Sequence, residues 1–321
     1  MTNIKIRLTG IILFAFLLSA AFISCSKDDD NSGTASTEFK ITDAAIDDAS
    51  VLGAFVTIAG IKLDGISVQG FTKTTVDLKA YQNGTTKTLG NFNLEGKTYN
   101  SVTFVLDYDT DANGNSPGSY VVTTSVTGIV KHKLQSNGNE ITIAKNFALQ
   151  GNAQNYVVAD FDLRKMITQQ PGGTTDDQYD FVTNAELQTA VRIVVENNTG
   201  TISGNLTDPV SLSDKVVVYV YKKGTFDRAT EIQGQGASNI EFKNAVSSAT
   251  VNASGGYQLH FLESGEYELH FVSYKDTNAD GRLEFIGTLT LLPLTDIDLL
   301  DLTIAANATL TVNATVTGVQ N

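Results

Sequence analysis

The chain predicts an all-β protein, two antiparallel β-sandwich domains in series. Three observations carry that reading. From Thr309 to Thr317, polar residues alternate strictly with Leu310, Val312, Ala314 and Val316, the period of a strand with one buried and one wet face. The composition, with 27 Gly, 4 Pro and no Trp beside abundant Thr, Val, Asn and Asp, suits short strands joined by turns. Helical periodicity is confined to 163–168 and 183–188. A length of 321 residues fits roughly two domains.

Taken in order, residues 1–24 read as a leader, since Lys5 and Arg7 precede an apolar run from Leu8 to Ser24 without a charge. That run is shorter than the roughly 20 residues a membrane-spanning helix needs. Residues 25–36 are rich in Ser, Asp, Gly, Thr and Asn and form a flexible acidic linker. The first sandwich is expected over 37–196, with strands at Tyr156–Phe161 and Val191–Val195. The polar turn Glu196-Asn197-Asn198-Thr199-Gly200 then opens the second, 197–321. There Val216–Tyr221 reads as a central strand. Tyr257, Leu259 and Phe261, then Tyr267, Leu269 and Phe271, alternate with polar residues around Glu263-Ser264-Gly265-Glu266. A hairpin with its aromatic side inward is expected.

Three resemblances sharpen this outline. Phe22-Ile23-Ser24-Cys25, built on the single cysteine, resembles the lipobox of bacterial lipoproteins, with Phe22 where Leu is usual. The resemblance implies cleavage before Cys25 and a lipid on its sulfur, with two or three acyl chains at about 0.8 kcal/mol per buried CH₂ giving lasting attachment. Lys27-Asp28-Asp29-Asp30 looks like an acidic surface-export tag, and an ordinary solvated tether is the alternative. Phe39-Lys40-Ile41-Thr42-Asp43-Ala44-Ala45, Val76-Asp77-Leu78, Leu94-Glu95-Gly96-Lys97-Thr98-Tyr99 and Ala159-Asp160-Phe161-Asp162 resemble, in order, the lipoprotein family called domain of unknown function 4382. Gly200–Asp208, Gly256-Tyr257-Gln258-Leu259 and Gly265-Glu266-Tyr267-Glu268-Leu269 resemble the carboxypeptidase-regulatory-like domains, which implies a prealbumin- or Ig-like sandwich over about 199–321.

The chemistry is sparse. A formal net charge of −13, with no basic cluster, argues against nucleic acid as a partner. One cysteine excludes internal disulfides and thiolate metal sites once it is acylated. No nucleophile elbow, zinc-protease helix or phosphate-cradling loop occurs. Asp276, Asn278 and Asp280, with Gly281 and then Glu284, follow the spacing of a calcium loop lacking its usual last ligand. Asp109, Asp111 and Asn113 before Gly114 are a weaker version. Calcium as a structural ion and a plain Asx-rich turn are both open readings for each loop. His260 and His270 are expected on a solvated face beside Glu268, and His132 on the surface. Asp160 and Asp162 should share one strand face.

The expected function is that of a non-enzymatic outer-membrane lipoprotein, lipid-anchored through Cys25 and facing the cell exterior. It would act as a binding or structural module for an unidentified protein or glycan. A pilus-type subunit and a glycan-binding accessory of a nutrient-uptake system are the alternatives.

Overall fold

The computed structural model describes residues 32–44, 51–125, 128–169, 178–209, 211–277, 283–294 and 296–320. Cys25, the leader, Asn278 and Asp280 lie outside them. The protein is all-β, as the alternation predicts. The first half stacks two sheets. One runs Val191–Val195, Gln154–Asp162, Thr34–Ala44, Lys87–Glu95; the other Gly128–Lys133, Tyr120–Ser125, Gly53–Leu63, Thr98–Leu106, Glu140–Ala148. Thr34–Ala44 starts inside the expected linker, because Thr34, Ala35 and Ser36 already pair with Glu95, Leu94 and Asn93.

That first strand lies parallel to Gln154–Asp162, a departure from the antiparallel expectation. Parallel neighbours need a long crossover, and here the whole second sheet supplies it. Phe39, Ile41, Val157 and Phe161 meet Val56, Ile58, Val102 and Phe104 in a fully buried core. Phe104 and Phe161 touch edge to face at 5.2 Å. Burying each such side chain contributes about 1.5–3 kcal/mol.

Both helical stretches form, with shifted ends. Leu163–Met166 is one turn, after which Ile167 enters a strand opposite Phe181, as a β-branched residue favours. Asn184–Ala190 is held by a capping box in which the Thr183 side chain and the Glu186 backbone and carboxylate bond reciprocally, worth about 1 kcal/mol.

The second half is one sheet rolled around its own core, in the order Ser247–Thr250, Lys215–Lys222, Gly265–Lys275, Glu284–Pro293, Ala314–Gln320, Thr199–Thr207, Gly256–Glu263. The expected hairpin is corrected here. Gly256–Glu263 pairs with Thr199–Thr207, whereas Gly265–Lys275 pairs with Lys215–Lys222. Ser264 and Gly265 therefore carry the chain across the core rather than around a hairpin turn. The aromatic pattern is the same either way, because Tyr257 and Phe271 both face inward and touch at 5.2 Å.

Parity also breaks at Phe261. Its φ of 56° and the register shift opposite Gly200–Ile202 form a bulge, so Leu262 takes the inward place and Phe261 turns toward the first half. The expected strand 309–317 divides too. Thr309–Thr311 pairs in parallel with Thr201–Ser203, and Ala314–Gln320 pairs with Glu284–Pro293. At the break, the Asn313 side-chain oxygen accepts the Asn205 N–H at 2.8 Å.

Candidate functional site

The halves are joined by cations of the first reaching oxygens of the second. Arg192, on the last strand of the first half, holds Asp160 at 2.6 Å and donates its other Nη to the Phe261 carbonyl. Arg164 pairs with Asp162 at 3.0 Å, donates to the carbonyls of Glu241 and Phe242, and lies over the Tyr219 ring at 5.1 Å. Lys165 sits 3.4 Å from Asp162 and donates to the Ala245 carbonyl. Lys145 bonds both oxygens of Glu263 at 2.7 and 2.8 Å. In the opposite sense, Glu186 accepts from the Ser238 N–H and hydroxyl.

Burial sets the electrostatics of this seam. Asp43 takes the Leu163 N–H and the Gln82 amide, yet desolvation holds its carboxyl well above the usual range. Burial also raises Asp160 against the pull of Arg192 and lowers Lys165. Glu186 is different: its hydrogen bonds to Ser238 and Thr183 outweigh burial and bring it down to about 2. Asp43 and Asp160 face His260, Phe261 and Ser248 across a cavity of about 20 Å³, room for about one water. Asp160 and Asp162 also floor an open pocket of about 380 Å³, where each is already paired.

A larger groove lies mainly on the second half, with a mixed lining in its wider part and a polar one beside it. One part, about 660 Å³, is bounded by Asn205–Asp208, Ser213–Val216 and Thr250–Gly255. The adjoining part, about 500 Å³, is bounded by Ser203, Gly204, Gln258, Thr311, Asn313 and, from the first half, Asn83. Thr250 and Asn252 border both. Gly204 permits the wall: a Cβ there would stand 1.7 Å from the Val312 carbonyl oxygen. Nothing in the strand pattern marked this groove, because its residues come from turns and strand ends separated by up to 230 positions.

The sequence-predicted ligands are placed as follows. Asp109 pairs with Lys133 at 2.8 Å, and Asp111 accepts the N–H groups of Asn113 and Asn115; these two carboxylates thus engage different partners. Glu284 accepts from the N–H and hydroxyl of Thr277, and the Asp276 N–H donates to Asp214. Among the described residues, no three His, Cys, Asp or Glu gather as a metal site.

The histidine expectations are corrected. His132 is buried, bonded to Thr123 at 2.7 Å and edge-on to Tyr179 at 5.0 Å. His270 stacks on Phe226 at 3.7 Å, under the excursion that brings Phe226 and Phe242 over the outer face of Lys215–Lys222 and Gly265–Lys275. His260 packs instead against Gly84 of the first half. Asp160 and Asp162 do share a face, a buried one.

No curated protein matches the chain. Among solved structures, it is similar to the Bacillus anthracis TIE protein (11% identity, TM-score 0.20, 88% of this chain and 34% of that one). It is also similar to the minor pilin of Streptococcus agalactiae (12%, 0.22, 89% and 97%) and to BcpA, the major pilin subunit of Bacillus cereus (8%, 0.21, 88% and 70%). The chain thus spans about a third of the first of these. At such TM-scores the likenesses carry no argument about function. Residues 34–182, which hold the two stacked sheets except for the edge strand Val191–Val195, match the family model described as Domain of unknown function (DUF4382).

Proposed function

We propose that this protein is a non-enzymatic structural or binding module, lipid-anchored through Cys25 at the outer membrane and facing the cell exterior. The observation that carries the reading is how its buried charges are used. Arg164, Lys165 and Arg192 each join a neighbouring carboxylate to a carbonyl oxygen of the other half. The cluster fixes two bodies together. Acid–base hydrolysis would need a carboxyl of raised pKa open to a substrate. Here Asp43 faces a space for one water, and Asp160, although it borders an open pocket, is engaged by the Arg192 guanidinium at 2.6 Å.

The direction of the first strand suits an anchor at the amino terminus. Its far end, Asp43, lies at the seam, while Gly33 and Thr34 bond Gly96 and Asn152. Along this strand, Thr34 and Asp43 stand about 30 Å apart. A tether attached ahead of this strand would join the protein at the end away from the seam, and an anchor at Cys25 would then leave the second half on the far side from the lipid.

Two measurements test this. Labelled palmitate should enter the wild type and not Cys25→Ala, which should leave the membrane fraction; equal labelling of both would refute the anchor. Protease added to intact cells should digest the protein, and full protection would refute display. Calcium held by Asp276, Asn278, Asp280 and Glu284 is a separate proposal, with a plain Asx-rich turn as its alternative. At ten times its dissociation constant it would add about 1.4 kcal/mol, and an unchanged melting temperature between millimolar calcium and excess chelator would remove it.

A further inference from the structure

The smaller, polar part of this groove has a lining that the structural role of the seam does not require. Side-chain amides of Asn83, Asn252, Gln258 and Asn313 and the hydroxyls of Ser203 and Thr311 border it. Each amide offers two donors and an acceptor about 2 Å apart, a set that matches neighbouring hydroxyls. Part of that capacity serves the fold: the Asn252 oxygen caps Ser254 and Gly256, and the Asn313 oxygen holds Asn205. These bonds use the oxygens and orient the amide nitrogens. Among the described residues bordering this part, the aromatic ring is that of Tyr257, buried with its hydroxyl on the Val312 carbonyl, so hydrogen bonding dominates this part of the surface.

We propose that this groove binds a neutral, polyhydroxylated chain, an oligosaccharide, and that both halves build the site. The two adjoining volumes, about 660 and 500 Å³, each fall in the range of ligand sites. Among the described residues, the charged ones stand at the distal end, where Asp208, Asp214 and Lys215 line the larger part. The section shared with Asn83 has none, and the net charge of −13 disfavours anionic ligands. Asn83 reaches the groove because Gly84, at φ 80°, packs directly on the His260 ring, and His260 in turn bonds Gln258 at 2.9 Å. The locked seam thereby holds the groove's far wall in place. This deepens the binding-module reading and rests on it for access to outside ligands.

The test is calorimetric titration of the full mature chain with neutral glucan, mannan and xylan oligosaccharides. Binding of at least one of them at millimolar or lower concentration is expected. Asn83→Gly, which suits the positive φ at that position, Gln258→Ala and Thr311→Val should each weaken it about tenfold with the melting temperature unchanged. No binding, binding indifferent to all three substitutions, or binding restricted to acidic sugars or peptides would each overturn the proposal. Failure of lipidation with sugar binding intact would refute the display reading alone; display without sugar binding would refute this one alone.

Discussion

Arg192 is where residue-scale reasoning is most exposed to test. Its guanidinium neutralises Asp160, which is 6% exposed, and bridges to Phe261 of the other half. Arg192→Met should cost about 3–5 kcal/mol in urea unfolding, because an unpaired carboxylate is left buried. Pairing it with Asp160→Leu should recover most of that loss. Glu186 makes a pH prediction. Its carboxyl falls from 4.5 to about 2 on folding, so the stability it adds is complete above pH 4.5 and is lost as pH falls toward 2. Glu186→Gln should flatten that acid limb. Asp43 acts with the opposite sign: its raised value means stability declines as pH climbs above its ordinary 3.8, and Asp43→Asn should remove that decline. Residue identities were only half readable from the sequence. Lys131-His132-Lys133 read as surface, yet in a strand the alternation that sends both lysines out sends His132 in. Charge on the neighbours said nothing about the face between them.

Elements were more legible than their partners. The aromatic alternation in 257–261 and 267–271 located two strands correctly, because burial depends on the face and the face on parity. Pairing is set by where a neighbour's N–H and C=O groups lie, which periodicity does not encode. A hairpin and a crossing over the core therefore share one sequence signature. The bulge at Phe261 and the division at Asn313 were hidden for a related reason: each is one residue whose backbone or side-chain bond alters a regular ladder. The groove escaped notice because turn residues of low periodicity converge only in the fold. Gly204→Ala tests this level. A methyl 1.7 Å from the Val312 carbonyl must push apart Thr199–Thr207 and Thr309–Thr311, at a cost of about 1–3 kcal/mol or more. A lowered melting temperature is the expected result, and an unchanged one would mean the strands reopen freely.

On the scale of the whole molecule, the bonds across the seam make the two halves act together. Simultaneous Arg164→Ala, Lys165→Ala and Arg192→Ala should free one half from the other, seen as a larger radius of gyration in solution scattering and new protease cuts near residues 196–200. An unchanged envelope would show that packing alone holds them. The polar run Glu196–Gly200 suggested a boundary between two domains; the seam left no mark in the sequence, since its carbonyl acceptors carry no side-chain signature. The parallel ladder between Thr34–Ala44 and Gln154–Asp162 has a mechanical consequence. Tension entering at Thr34 runs along that strand, between two neighbours to which it is bonded on both edges. Such a load meets the ladder in shear, with many hydrogen bonds resisting at once instead of yielding singly like a zip. A protein hauled on by its amino terminus would thus give way elsewhere first.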